Sequence, residues 1–440
     1  MADSELSGRM RNQMREDWNA RAREDAGYYV AFGRRDQSDA DFYATATEVI
    51  NSLESELRRV PPAQRSAWKA LEIGCGPGRL MRPMSRHFAE IHGVDVSDEM
   101  IALARERLRD VPNAHPHVTD GASLSQFADA WFDFVYSYAV FQHVPSRDVI
   151  ASYMRETCRV LKNGGLARLQ FNGMPARDSS FDTWAGARVT SSEIFEFTQM
   201  NDLQLLAVEG AGTQYLWTTW RKQPGGWQSA QYDRQFAENT SRIRRITNTH
   251  SSEPGAPSRG RYASISLWVE NLPPDAGLHH LHVAVGDSLG NVTYIGPPMV
   301  DGLQQVSVTL PDLEATGLLP VQLRWLDAPL APLATLRVIP PGPSVPAIRS
   351  VTDGTNLVAD KRIETRSVKM ILEEVAHPEE MQAFVDGVPV GDLEFLCTDP
   401  RPQRFEVNFR LPDEIAPGRH ELQVHSGRRT LAPVMLEVVS

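Results

Sequence analysis

Leu71-Glu72-Ile73-Gly74-Cys75-Gly76-Pro77-Gly78-Arg79-Leu80 reads as an apolar strand running into a turn with glycine at every second position. Glycines 74, 76 and 78 permit a sharp reversal and leave backbone N–H groups open to a ligand lying directly against the main chain. A dinucleotide fingerprint would need Gly-x-Gly-x-x-Gly, but Arg79 stands where its third glycine should be, and Pro77 stiffens the turn. A triphosphate loop would need Gly-Lys-Ser/Thr to follow, and none does. The turn therefore argues against both ligands while still presenting bare backbone.

The next strands carry acids in order. Glu90 to Val96 ends in Asp95, followed by Ser97-Asp98-Glu99-Met100, a helix start with a serine N-cap. His115 to Thr119 ends in Asp120-Gly121; Phe132 to Tyr138 is a fourth strand, and Gly164 to Phe171 the turn and strand of a fifth. Acids at the C-terminal ends of three successive strands lie at the edge where open α/β sheets bind ligands. In this arrangement the chain resembles the class I S-adenosylmethionine-dependent methyltransferases, strongly from Trp68 to Phe171, more weakly to Lys222, and not beyond.

That resemblance implies S-adenosyl-L-methionine as cofactor and assigns residues to it. Glu72 would meet the methionine amino group, Asp95 the ribose hydroxyls and Asp120 the adenine amine. Gly74, Cys75, Gly76, Gly78, Val96, Met100 and Gly121 would line the site, with Tyr138 and Gln142 at the methionine end. His143, just past the fourth strand, lies where the methyl should face the acceptor. It serves either as a base for an oxygen acceptor or as a tie for the loop through its ring nitrogens.

Around this core, Val189-Thr190-Ser191-Ser192-Glu193 opens a helix. Leu203 to Glu209 and Gln214 to Lys222 then read as a hairpin that brings the sheet to seven strands. Upstream, Ser38 can cap one helix with apolar positions Phe42, Ala46, Val49, Ile50, Leu53 and Leu57, ended by Pro61-Pro62. Before it come Trp18, Arg21, Tyr28, Tyr29 and Gly33-Arg34-Arg35, a segment expected to act as a lid.

The C-terminal half alternates in short strands between proline and glycine turns, and it repeats. Ile243-Arg244-Arg245-Ile246-Thr247-Asn248 matches Ile348-Arg349-Ser350-Val351-Thr352-Asp353, 105 residues on, and Val306-x-Val308-x-Leu310-Pro311-Asp312 matches Val407-x-Phe409-x-Leu411-Pro412-Asp413. Pro340-Pro341-Gly342-Pro343 reads as the linker. The expected architecture is an α/β Rossmann-like seven-stranded methyltransferase core plus two all-β immunoglobulin-like sandwiches. Its divisions are a helical lid over 1–60, the core over 61–225, and sandwiches over 240–340 and 345–440.

His279-His280-x-His282 is the one metal-like spacing in the β half. A strand there would put His280 and His282 on one face without a third ligand, so the expectation is exposed strand histidines and no metal. The chain has 440 residues and net charge −11, with 24 acidic against 15 basic residues over 251–440, which disfavours nucleic acid. Three scattered cysteines build neither a disulfide framework nor a zinc site. No apolar run reaches 18 residues and no basic-then-apolar leader opens the chain, so neither a membrane partner nor secretion is expected, and the cytoplasm is the expected setting.

The functional expectation is methyl transfer to an oxygen or nitrogen of a small molecule or glycan, with the sandwiches presenting substrate or forming a homo-oligomer. The alternative is a non-catalytic binding protein with a vestigial cofactor module. Residues 172 to 189, with Trp184, are the expected acceptor-side insertion.

Overall fold

The computed structural model describes the chain except residues 1, 32–34, 36, 176–181, 238–239, 342–344, 357–360, 376, 400–402 and 440 and the side chains of 2–7. Parts of the expected lid, acceptor-side insertion and linker (Gly33-Arg34, 176–181 and Gly342-Pro343) thus lie outside the described residues. The chain forms two compact units, one of Met1–Ala26 with Ala46–Pro341 and one of Gly27–Thr45 with Gly342–Ser440. Among the described residues no helix is long and apolar enough to cross a membrane.

The core of the first unit has seven strands: β1 (Lys69–Ile73), β2 (Glu90–Asp95), β3 (Ala114–Val118), β4 (Phe132–Ser137), β5 (Leu161–Phe171), β6 (Leu203–Glu209) and β7 (Leu216–Lys222). They lie in the order β3-β2-β1-β4-β5-β7-β6, with β7 antiparallel to both neighbours. This is the mixed Rossmann-like sheet the acid series implied. Nine helices are described: α1 (Ala2–Ala31), α2 (Asp39–Ala44), α3 (Thr47–Leu57), α4 (Pro62–Arg65), α5 (Met81–Met84), α6 (Asp98–Arg107), α7 (Arg147–Val160), α8 (Ser191–Met200) and α9 (Trp227–Tyr232).

Helices cover both sheet faces because β1 is apolar on both. Leu71 and Ile73 join Val149 and Ile150 of α7 on one side, while Ala70 joins Leu53 of α3, Met81 of α5 and Ile101 of α6 on the other. Local signals set the helix starts. Ser97 Oγ accepts from Met100 N at 3.1 Å, and Thr190 and Glu193 form the reciprocal capping box that opens α8.

The single helix expected after Ser38 is two. Ser38 caps α2 as anticipated, but Thr45 turns its hydroxyl back onto Phe42 O (2.6 Å) and α3 restarts after Ala46. Helix α1 also breaks, at Asp25, whose backbone is extended (φ −167°, ψ 90°). Both breaks fall where the chain changes units. The expected lid over 1–60 therefore divides: residues 27–45 belong with the C-terminal repeat, where Tyr28 Oη donates to Thr355 O at 2.6 Å.

The first β repeat runs through β8 (Arg242–Asn248), β9 (Gly255–Pro257), β10 (Ser264–Glu270), β11 (Leu281–Val285), β12 (Ser288–Ile295), β13 (Leu303–Thr309), β14 (Gly317–Trp325), β15 (Ala328–Pro329) and β16 (Ala334–Ile339). The second runs through β17 (Ala347–Asp353), β18 (Arg362–Ile363), β19 (Ser367–Glu373), β20 (Met381–Val385), β21 (Val388–Pro389), β22 (Glu394–Asp399), β23 (Arg404–Arg410), β24 (Gly418–Ser426), β25 (Arg429–Thr430) and β26 (Val434–Val438). In the second, a four-stranded and a six-stranded sheet share one apolar core. The repeated motif ends have one job. Asn248 Oδ1 accepts from the N–H groups of His250 and Ser251, and Asp353 Oδ1 from those of Thr355 and Asn356.

The first repeat continues the core sheet, because Tyr294 of β12 pairs with Ala207 of β6. Leu278 N donates to Leu205 O at 2.8 Å, and Gln204 Nε2 donates to Ala276 O at 2.9 Å. Arg59 binds Glu56 at 2.8 Å in a buried pair and reaches Ile295 O at 2.6 Å. The histidine expectation fails here. The strand begins only at Leu281, and His280 is fully buried, stacked on Trp325 at 5.5 Å and edge-on to Trp227 and Tyr232. His279 meets Thr198 of α8 at 3.0 Å.

A chain ending at Lys222 uncovers Leu203, Leu205 and Val208, each worth about 1.5–3 kcal/mol when fully buried. We expect it to precipitate or bind a hydrophobic dye, whereas a chain ending at Pro341 keeps a cooperative thermal transition. A monodisperse, cooperatively melting 1–222 fragment would overturn this expectation.

Candidate active site

The glycine turn leaves β1 with all three glycines at positive φ: 72° at Gly74, 50° at Gly76 and 85° at Gly78. At Gly74 a side chain is excluded twice, by that dihedral and by Val140, whose Cγ2 would stand 2.2 Å from an added Cβ. Cys75 gives only backbone to this edge. Its thiol is buried beneath β2, near Gly93 and Met81.

Asp95 ties the turn to the next helix. One carboxylate oxygen accepts from Gly76 N and the other from Ser97 N, each at 2.9 Å. A carboxylate has about four acceptor sites, so acceptor capacity remains for a vicinal diol. Enclosure by surrounding atoms raises its pKa despite the N–H groups of Ser97, Gly76 and Val96. Glu72 is more deeply placed, 3% exposed, and takes the Tyr136 hydroxyl at 2.8 Å. Burial pushes its pKa up to about 8, against the Tyr136 hydrogen bond and Arg79 and with the help of Asp95.

Asp120 is half exposed. Burial opposes its charge, but the Ala122 and Ser123 N–H groups and Arg11 hold its pKa below the usual carboxylate range. Val96 packs against Gly121 (φ 82°), so the two close the slot between Asp95 and Asp120. Met100 is buried, its N–H capped by Ser97. Tyr138 lies flat on Trp217 at 5.5 Å, with the Arg79 guanidinium 5.7 Å from its ring.

Helix α1 crosses these strand ends with two faces. Arg11, Arg15, Asn19 and Arg23, spaced by four, meet respectively Asp120, Thr119 O, Ser97 with Glu99, and Glu99. Met14, Trp18 and Ala22 form the parallel stripe: Met14 and Ala22 are buried, and Trp18 meets the His143 ring edge-on at 5.5 Å. The four-residue polar spacing was legible but had no assigned role.

His143 is 6% exposed, with its Nδ1 3.0 Å from Trp184 O and its Nε2 3.2 Å from Gln142 Nε2. That pattern suits the neutral ring, with Nδ1–H donating and Nε2 accepting. Burial lowers its pKa to about 4, against the Trp184 carbonyl. Arg21 lies between Trp18 (4.6 Å) and Trp184 (5.4 Å) and donates to Thr183, fastening α1 to the acceptor-side segment. Gln170, fully buried, accepts from Ala139 N at 2.8 Å and holds that residue at φ 56°. Among the described residues no group of three His, Cys, Asp or Glu side chains could hold a metal ion.

Bare backbone flanked by three acids, with burial raising the pKa of Glu72 and Asp95, fits a cationic adenosyl ligand. Residues 71–169 match the family model described as a methyltransferase domain. The core is a class I methyltransferase domain. Phosphoethanolamine N-methyltransferase 2 of Caenorhabditis elegans is 32% identical over 123 residues, 27% of either chain. Ubiquinone biosynthesis O-methyltransferase of Ruegeria sp. (strain TM1040) is 34% identical over 100 residues, 22% of this chain and 38% of that protein.

Among solved structures, the phosphoethanolamine N-methyltransferase 1 of Haemonchus contortus with phosphoethanolamine and S-adenosylhomocysteine is similar at 14% identity and TM-score 0.37, covering 52% of this chain and 51% of that one. The chain spans well under half the length of these curated relatives. The methyltransferase domain takes S-adenosylmethionine as its cofactor, and the residues present suit it: Asp95 keeps acceptor capacity beside the turn and Glu72 offers a buried carboxyl.

Glu72 sets a pH dependence. Between its ordinary value of 4.5 and about 8 the folded chain holds a proton that the unfolded chain releases, so stability falls as pH rises through that window. Glu72→Gln is expected to flatten this loss in thermal melts at pH 5, 6.5 and 8 and to weaken adenosylhomocysteine binding. A wild-type melting temperature that rises from pH 5 to 8, with the variant tracking it, would contradict the assignment.

Proposed function

We propose that the chain moves the sulfonium methyl of S-adenosylmethionine to an oxygen or nitrogen of a small molecule or glycan by in-line displacement. The observation carrying this is the acid series Glu72, Asp95 and Asp120 around the bare turn. A retired pocket has no physical need to keep one acid buried and a second half-buried beside the turn. The domain is similar to those of proteins named as N- and O-methyltransferases, so either heteroatom remains in the proposal.

The bound sulfonium supplies an activated methyl, so the protein's part is positioning and exclusion of water. In this proposal the turn takes the ligand against its backbone, Asp95 takes the ribose diol, Glu72 the amino group and Asp120 the adenine amine. Cys75, Gly121, Val96, Met100 and Tyr138 line the site by backbone or by packing. The first 26 residues act as the lid.

We read His143 as a positioning residue rather than a base, because both ring nitrogens are engaged, Nε2 by the neighbouring Gln142 and Nδ1 by Trp184 O. Both β repeats are read as immunoglobulin-like sandwiches: the first completes the catalytic unit, and the second is left for substrate presentation or assembly. A cytoplasmic setting is part of the same proposal.

Titration calorimetry should detect adenosylmethionine and adenosylhomocysteine, with Asp95→Ala weakening both about 10- to 100-fold, the range of a charged hydrogen bond. Absence of heat for either ligand sinks the catalytic reading. With an acceptor in hand, adenosylhomocysteine formation over pH 6 to 9 should show no limb near 6.5, and His143→Ala should alter acceptor KM while leaving that profile flat. A limb at 6 to 7 that disappears in the variant would restore the base.

A further inference from the structure

The two β repeats pair their corresponding strands in the same register. Leu281 and Val285 of β11 pair with Trp325 and Val321, and Met381 and Val385 of β20 pair with Ser426 and Leu422. Ile295 of β12 pairs with Val306, and Phe395 of β22 pairs with Val407. Positions on β20 and β22 therefore have counterparts about 100 residues earlier, on β11 and β12.

In the first repeat, the loop before β11 and the end of β12 form the face that takes the methyltransferase edge strand. Leu278 N binds Leu205 O, His279 meets Thr198, Tyr294 pairs with Ala207, and Ile295 O accepts from Arg59. The corresponding face of the second repeat is a groove of about 610 Å³ with Met381, Phe384, Leu393 and Phe395 among its lining and Glu379 and Asp392 at its rim. Its chemistry has changed. Pro378 stands where Leu278 donates its N–H, exposed Glu379 where His279 is held, and exposed Glu394 where Tyr294 pairs.

The geometry points to this groove as a docking site for a second protein that offers an apolar edge strand or extended segment flanked by lysine or arginine. The repeat shows what such a face covers, namely a sheet edge. The rim says what must flank it, since Glu379 and Asp392 repel an acidic occupant. Another copy of this chain is a poor match: its net charge is −11, and its own β6 edge is already paired. Peptides captured along an exposed sheet face gain affinity from main-chain alignment and selectivity from alternate side chains.

The test uses the full chain with labelled methionine methyls and a synthetic peptide of the Leu203–Glu209 sequence carrying two lysines at each end. The Met381 resonance should shift saturably, with a dissociation constant below about 1 mM. Glu379→Lys with Asp392→Lys should weaken binding at least tenfold, as should replacing the flanking lysines by glutamates. No shift of Met381 at millimolar peptide, or equal affinity for the charge-reversed chain, overturns the proposal. So does a concentration-dependent dimer that Phe395→Asp abolishes, which would assign the groove to a second copy. Adenosylhomocysteine binding by the double variant should be unchanged, which separates this outcome from failure of the catalytic reading.

Discussion

An α/β sheet must end somewhere, and the strand at its end carries one row of unsatisfied N–H and C=O groups. In this chain the last strand is β6, whose Leu203, Leu205, Leu206 and Val208 are buried across both faces. Water cannot be left on either side of such a strand. The first β repeat answers that constraint with a backbone bond at Leu205, a strand pair at Ala207 and an apolar cluster that runs without interruption from Leu71 to Val338. The methyltransferase domain and its neighbour consequently lie in one compact unit, although one is α/β and the other all-β.

The other end of the same sheet is governed by electrostatics. Carboxylates gather where β1, β2 and β3 stop, and Glu72 and Asp95 are held away from water with few cations among their neighbours. Such an arrangement costs stability in the empty protein and favours a ligand that brings positive charge. Helix α1 contributes arginines mainly at the outer margin, against Asp120, Asp98 and Glu99, so the inner acids remain for the ligand.

Much of this was legible because it depends on local chemistry. Alternate glycines, an acid at each strand end, a serine before Asp98 and a threonine three residues before Glu193 each act within a few residues, and each sits as read. The repeat was legible for the same reason, since Asn248 and Asp353 cap their own loops. What escaped depends on partners distant in sequence. His280 looks like an exposed strand residue until Trp227, Tyr232 and Trp325 are brought around it. The break at Thr45 cannot be read from apolar spacing, because Ala46 to Leu57 and the preceding turn face different cores. His143 Nδ1 finds its partner, Trp184 O, only once residues 182–187 fold back on the loop after β4.

The end of helix α1 and the short α2 belong to the C-terminal body. Because Gly27–Thr45 is counted with Gly342–Ser440, that body is discontinuous: its halves are separated by the whole catalytic unit. Cutting at the proline-rich junction therefore does not release a self-sufficient cassette, since the excised tail leaves behind the segment that supplies the Tyr28 hydroxyl to Thr355. Nor can synthesis complete it early. The ribosome emits residues 27–45 first, and nearly 300 residues must follow before the segment they are grouped with emerges.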